Sequence, residues 1–205
     1  PLRYSGSAKL GKASLFMLSD KIDITDGSGI LFFTEKGLSS KGLVANILDE
    51  KATFSVSSTK GKSINIAVKG KMKPGMVLNR FDIPGAKNIS GKTQFQASMT
   101  FPGNLVKKNH PTLKINSNLL GVKSNLPDFL SKQKNTKTKF NFTTVFSAQD
   151  KVQFAVNFNN SGSAIIEVDQ SGNKNYLNKG AVSFSVRKAV LSNKNILYID
   201  VSINI

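Results

Sequence analysis

The sequence contains no cysteine and no tryptophan, and it has a single histidine, His110. Without thiols the chain can form no disulfide, no thiolate nucleophile and no cysteine-ligated zinc site. His110 stands in Asn109-His110-Pro111, a loop-forming stretch without an accompanying nucleophile or base. The acidic residues are scattered at strand ends and turns, where they do not cluster as metal ligands. We therefore expect no catalytic residues, no metal site and no cofactor, and we predict that the protein is not an enzyme.

Long apolar runs are also missing. No stretch approaches the ~20 consecutive apolar residues that a membrane-spanning helix requires, and nothing resembles a signal peptide. The chain opens with Pro1-Leu2-Arg3-Tyr4, without an initiator Met, and enters strand-like sequence at once. We interpret it as a piece of a longer protein. The loops G-x-G-x-x-G and G-x-x-x-x-G-K-[ST], which cradle phosphates, do not occur, so nucleotide binding is not predicted.

Acidic residues are scarce relative to basic ones: the chain has 12 Asp and Glu and 29 Lys and Arg, which gives a formal charge of +17. Such a chain is attracted to polyanions, including nucleic acids, anionic lipid headgroups and lipopolysaccharide phosphates. Most lysines alternate with apolar residues or occupy turns, as in Lys69-Gly70-Lys71 and Lys132-Gln133-Lys134. We interpret them as a solvated outer face. The phenylalanines fall on the opposite face, which argues against a base-stacking platform, and we predict no nucleic-acid partner.

What the sequence does contain is strict alternation of apolar and other residues. Period two places each apolar set on one face of a strand and leaves the other face wet, as in antiparallel sheets. Turn sequences separate the sets at roughly the ~8–12-residue spacing of all-β proteins; examples are Asp26-Gly27-Ser28-Gly29, Asn159-Asn160-Ser161-Gly162 and Gln170-Ser171-Gly172-Asn173. The clearest alternating sets are Ile64, Ile66 and Val68; Phe140, Phe142 and Phe146; Val152, Phe154, Val156 and Phe158; Val182, Phe184 and Val186; and Leu197, Ile199, Val201, Ile203 and Ile205.

These patterns predict one β-rich unit over residues 1–205, with about a dozen antiparallel strands in a strongly twisted sheet. Helix is confined to two short candidates, Pro74 to Phe81 and Pro127 to Ser131, both at strand connections. Fourteen Phe against three Tyr and no Trp suit either a dry core or a surface that contacts hydrocarbon. The alternative to an open sheet is a closed β-sandwich that packs the same residues against each other.

Three stretches, in order, resemble the YhdP branch of the AsmA-like family. The first is Gly29-Ile30-Leu31-Phe32-Phe33-Thr34-Glu35-Lys36-Gly37-Leu38. The second runs from Leu113 through Asn118-Leu119-Leu120-Gly121 to Asn125-Leu126-Pro127-Asp128-Phe129-Leu130-Ser131-Lys132, and the third is Lys179-Gly180-Ala181-Val182-Ser183-Phe184. Phe129 stands where the family usually has a second proline.

The resemblance implies a segment of a large Gram-negative envelope protein that is anchored in the inner membrane and extends through the periplasm. It implies an all-β fold in which the twisted antiparallel sheet forms an open groove or half-barrel, with one or two short helices. Phospholipid or another acyl lipid would pass along the apolar interior toward the outer membrane. The alternative is a structural or interaction sandwich of an envelope protein without lipid cargo. The residues that we expect to face the acyl chains are Ile64, Ile66, Val68, Phe140, Phe142, Phe154, Val156, Phe158, Phe184, Val186, Ile199, Val201 and Ile203.

Overall fold

The computed structural model describes residues 3–17, 22–59, 63–103, 110–126, 130–146, 151–159, 162–169, 176–184, 188–191 and 197–200. Within these residues the chain forms one twelve-stranded sheet and one two-stranded sheet. The strands of the large sheet are β1 (Ser5–Met17), β2 (Ile22–Thr34), β3 (Gly37–Ile47), β4 (Glu50–Thr59), β5 (Ser63–Met72), β7 (Thr93–Pro102), β8 (Thr112–Ser117), β10 (Phe140–Phe146), β11 (Lys151–Phe158), β12 (Gly162–Asp169), β13 (Tyr176–Ser183) and β14 (Leu197–Asp200). The small sheet pairs β6 (Ile89–Gly91) with β9 (Val122–Ser124).

The large sheet follows chain order throughout, so each strand pairs with the strands that precede and follow it in the large sheet. Eleven strands, β1 to β13 without β6 and β9, pair antiparallel. Strands β1 and β14 are the two edges, and the sheet does not close on itself. The prediction of an all-β fold with about a dozen strands is confirmed.

The last strand departs from the antiparallel prediction, because β14 pairs parallel with β13. Residues 184–196 separate the two strands in the sequence. A connection of this length can return the chain to the end of the sheet where β13 began, which a tight hairpin cannot do. The antiparallel assignment of the final strand was therefore wrong for 197–200, and residues 201–205 lie outside the described part.

The turn predicted at Asp26 to Gly29 was also wrong, since β2 continues through these residues. The pairing of β2 with β3 instead shifts register between Thr25 and Ser28 and again between Ser28 and Ile30. Asp26 has φ 55° and Gly29 has φ 136°. Residues that accept positive φ thus form an irregularity within one strand and not a hairpin.

One rim of the large sheet carries two long connections, residues 73–92 and 118–139, and we call it the insert rim. The first contains helix α1 (Pro74–Arg80), the 3₁₀ turn η1 (Ala86–Asn88) and β6, and the second contains β9. The helix was predicted, and Pro74 lies in its first turn as expected. Residues 127–129 of the second helix candidate lie outside the described residues.

The large sheet is a single layer. The chain exposes 13808 Å² of surface, whereas a compact monomer of 22.2 kDa exposes roughly 9,400 Å². The buried apolar residues of the described part are few and mostly small: Leu43, Ala45, Leu48, Ala52, Ala86, Leu119, Val122, Val152 and Ala181. A β-sandwich would bury the large side chains of its two inner faces. The sandwich alternative is therefore wrong for the described residues.

Candidate functional site: the apolar face of the sheet

The register of the strands places a continuous set of apolar residues on one face. Directly paired residues on neighbouring strands lie on the same face of a sheet. Following these pairs from β3 to β13 gives one residue per strand, and we call this set the apolar row: Leu43, Phe54, Val68, Ala97, Ile115, Phe142, Val156, Ala164 and Val182. At roughly 4.8 Å between strands, the row runs about 38 Å across the sheet without a polar residue.

Rows on either side of it are mostly apolar as well. One contains Val56, Ile66, Met99, Leu113, Thr144, Phe154, Ile166 and Gly180. The other, nearer the insert rim, contains Ala52, Gly70, Phe95, Ser117, Phe140, Phe158 and Gly162. The rings of Phe142 and Phe154 join the apolar row to its neighbour, with centroids 6.3 Å apart at an angle of 35°. The three rows together make a broad surface, which we call the apolar face.

Eight of the candidate residues named from the sequence lie on this side of the sheet by register: Ile64, Ile66, Val68, Phe140, Phe142, Phe154, Val156 and Phe158. Seven belong to the three rows, and Ile64 lies beside them on β5, two residues before Ile66. Phe184 follows β13, and its ring lies beside Gly162, 3.9 Å from where a Cβ would stand. The backbone of Ile199 pairs with Val182. Val186, Val201 and Ile203 lie outside the described residues.

Sequence reasoning missed several residues that complete the apolar row, among them Phe54, Ala97 and Ile115. The signal was present, since Phe95, Ala97, Met99 and Phe101 alternate with Gln96, Ser98 and Thr100 in the sequence. What the sequence does not reveal is the pairing that aligns this strand with its neighbours. Membership of the row therefore required the register.

The candidate side chains on the apolar face are partly exposed, whereas Leu43, Ala52 and Thr144 of the same rows are buried. Ile64 is 42% exposed, and the remaining candidate side chains that the structure describes are half-buried, none of them fully enclosed. A surface of this kind leaves apolar area in contact with water, and covering it with hydrocarbon lowers the free energy.

The opposite face is polar along the same strands. The positions next to the apolar row are Thr53, Lys69, Gln96, Asn116, Asn141, Asn157 and Ser163. Asn141 Nδ2 donates a hydrogen bond to Asn116 Oδ1 at 2.6 Å. The sheet is therefore two-faced, as the alternation predicts. We call this second surface the polar face.

One phenylalanine departs from the prediction that the aromatics avoid the lysine side. Phe32 pairs with Ser7 and Ser39, and Ser39 pairs with Ser57 on the polar face. Its side chain is 38% exposed. The cause is a register shift in β3 between Ser39 and Leu43, because one extra residue in a strand reverses which face the alternation presents.

Charged groups are satisfied at the insert rim and on the polar face. Glu50 accepts from Lys92 Nζ at 2.7 Å and from Lys73 Nζ at 3.2 Å. The hydrogen bond from Lys92, followed by that from Lys73, lowers the pKa of Glu50 against the opposing effect of burial. On the polar face, hydrogen bonds from Gln153 and Asn178 lower the pKa of Glu167.

The family described as YhdP protein matches residues 1–204. The chain belongs to the YhdP family. This confirms the assignment made from the three motifs. No curated protein and no solved structure matches the chain.

YhdP proteins form an envelope protein family that is associated with lipid transport and not with catalysis. No helix among the described residues is both long and apolar enough to cross a membrane. The same residues contain no group of three or more His, Asp or Glu side chains that could hold a metal ion. The apolar face is therefore the feature of the described chain that fits the association of the family with lipid.

Proposed function

We propose that residues 1–205 are a non-enzymatic segment of a longer, inner-membrane-anchored YhdP protein, which carries phospholipid acyl chains through the periplasm between the inner and outer membranes. The acyl chains lie against the apolar face, which curves into an open groove. The polar face is turned to water. The uninterrupted apolar row carries this proposal.

The energetics of the row suit a conduit. Removing an acyl chain from water contributes about 0.8 kcal/mol per CH₂ group. Because every position of the row from Leu43 to Val182 is apolar, a tail that shifts by one strand exchanges one apolar contact for another. Movement across the strands therefore meets no desolvated polar group, and the lipid is held without being trapped.

The test is to measure the phospholipid that co-purifies with the chain, by extraction and mass spectrometry. Val68→Glu places a carboxylate in the apolar row, and Ile64→Glu places one at a position that is already 42% exposed. A carboxylate against hydrocarbon costs several kcal/mol unless it becomes neutral. We expect each variant to retain less than about a fifth of the bound phospholipid.

Neighbouring residues on the same strand supply matched controls. Asn65→Glu and Ala67→Glu introduce the same charge on the polar face of β5 and should leave bound phospholipid unchanged. Thermal unfolding shows which variants fold, and Ile64→Glu keeps the test decisive if Val68→Glu does not. Equal lipid content in Ile64→Glu and Asn65→Glu would refute the proposal, as would a folded wild-type chain that never retains lipid.

A further inference from the structure

The polar face contains a concavity beside the insert rim, which we call the basic trough. Its volume is about 1160 Å³. Strands β4, β5, β7, β8 and β10 form its floor, and the connections at the insert rim form its wall. Six lysines line it: Lys51, Lys69, Lys71, Lys92, Lys137 and Lys139.

The charge of the trough is largely uncompensated. Glu50 is its one carboxylate among the described residues, and it is already engaged by Lys92 and Lys73. The other five lysines of the trough make no ion pair within the described part of the chain. They are all exposed, so their ammonium groups are available to a bound anion. Several like charges around one concavity raise the local concentration of multivalent anions.

The floor between the lysines is made of amides. Lys69, Gln96, Asn116 and Asn141 are consecutive partners across β5, β7, β8 and β10. A phosphate or carboxylate needs only donors, whereas primary amides both donate and accept. A floor of this kind matches a ligand that carries hydroxyl groups between its anionic groups.

Two other classes of polyanion fit less well. Phe95 is the one aromatic residue among those that line the trough, and by register it belongs to the apolar face. Single-stranded nucleic acid uses exposed aromatic side chains for base stacking, and the floor offers none. The trough also lies on the face opposite the apolar row. If a lipid tail is bound at the apolar row, the sheet separates the headgroup of that lipid from the trough.

We propose that the basic trough binds an anionic glycan, a sugar chain that carries phosphate groups. The lysines pair with the phosphates and the amides bind the sugar hydroxyls. The size of the concavity exceeds that of a typical site for a small ligand, about 300–1,000 Å³, and admits several sugar units. This site lies on the face opposite the apolar row and does not depend on lipid binding.

The test is isothermal titration of the 205-residue chain with phosphorylated dextran oligomers, unmodified dextran oligomers of the same length, and inorganic tripolyphosphate. We expect the phosphorylated oligomers to bind at least about tenfold more tightly than tripolyphosphate, the unmodified oligomers to show no binding, and the affinity to fall with salt. Lys69→Gln, Lys71→Gln and Lys139→Gln together should weaken binding of the phosphorylated oligomers by about tenfold or more.

Lys9→Gln, Lys41→Gln and Lys114→Gln together remove the same charge from exposed positions of the polar face outside the trough, and should change affinity by less than about twofold. The double substitution Gln96→Met and Asn116→Leu should weaken the binding of the phosphorylated oligomers and leave the binding of tripolyphosphate unchanged. If the two triple lysine variants lost equal affinity for the phosphorylated oligomers, the proposed site would be wrong, because binding would then depend on net charge alone. If tripolyphosphate and the phosphorylated oligomers bound with equal affinity, and the double amide substitution had no effect, the proposal that the ligand is a glycan would be wrong.

Discussion

Lys132 ends the second motif that resembles the family, and the structure gives it a structural role. The prediction that the Lys132-Gln133-Lys134 turn is solvated is wrong for Lys132, which is only 5% exposed. Its Nζ donates to the carbonyl oxygens of Val122 at 3.0 Å and Gln133 at 2.9 Å. Burial lowers the pKa of its ammonium group. The side chain thus joins the connection after β9 to the small sheet.

Replacing Lys132 tests this role. Lys132→Met keeps the apolar stem but leaves two carbonyl groups without their Nζ donor, which we expect to lower the free energy of unfolding by about 1–3 kcal/mol. Urea denaturation measures the change. The exposed neighbour offers the comparison, since Lys134→Met should alter stability by less than about 0.5 kcal/mol. Equal effects of the two substitutions would contradict a role specific to Lys132.

Glu50 makes stability depend on pH. Its pKa in the folded protein is held below the ordinary value, first by the hydrogen bond from Lys92, so the folded state favours the ionised carboxylate. This contribution is complete above the ordinary pKa of glutamic acid and is lost as pH falls through the lowered folded value. Glu50→Gln should therefore reduce the loss of unfolding free energy between about pH 7 and about pH 3.

Denaturation curves at the two pH values measure that difference. Glu35→Gln removes the same formal charge without touching the Glu50 cluster and should preserve more of the pH dependence than Glu50→Gln does. A Glu50→Gln protein with the full acid sensitivity of the wild type would show that the contacts with Lys92 and Lys73 contribute nothing.

The small sheet is the element that joins the two connections of the insert rim. Strand β6 comes from the first connection and β9 from the second. Gly91 has φ 94° and Gly121 has φ 90°. A Cβ on Gly91 would collide with the carbonyl oxygen of Gly121, and a Cβ on Gly121 with that of Lys92. Both positions require glycine for conformation and for close backbone approach.

Gly91→Ala should therefore lower the free energy of unfolding by about 2 kcal/mol or more, since it combines an unfavourable φ with a backbone collision. Thermal or urea unfolding provides the measurement. Gly11→Ala in β1 is the matched substitution, because a Cβ there has no neighbour within 4 Å. If the two variants lost equal stability, the close backbone approach between Gly91 and Gly121 would not be a specific requirement of the small sheet.

At the scale of the whole sheet, each strand contributes residues to both the apolar face and the polar face, because the sheet is a single layer. Every residue of the apolar row has its polar-face counterpart one position away on the same strand, as Ile115 has Lys114 and Val156 has Asn157. Apolar and polar side chains are thus separated by one thickness of backbone. This arrangement allows the two faces to be probed independently.

A photoreactive amino acid at position 115 or 156 should cross-link to phospholipid in the purified chain, and the same group at position 114 or 157 should not. The four positions lie on β8 and β11, which are interior strands of the sheet. A difference in yield between them therefore does not come from exposure at a sheet edge. Mass spectrometry of the adducts measures the yield, which we expect to differ by about tenfold between faces. Similar yields from both faces would show that lipid contact does not follow the alternation.

Period-two alternation was enough to predict an all-β chain and its two-faced strands, because these depend on local spacing. The position of Pro74 was enough to predict α1. Candidate residues on one strand, such as Phe140 and Phe142, share a face for the same reason. The bulges in β2 and β3, the position of Phe32 and the parallel pairing of β14 could not be predicted. They depend on which residues meet across strands, and no local pattern specifies that.

Chemistry along the chain thus set the class of fold and the separation of apolar from polar side chains. Strand order and register then aligned nine separate alternating segments into one apolar row and gathered lysines distant in sequence into the basic trough. Backbone hydrogen bonds between strands determine these features, and they form between segments whose proximity exists only once the sheet has folded.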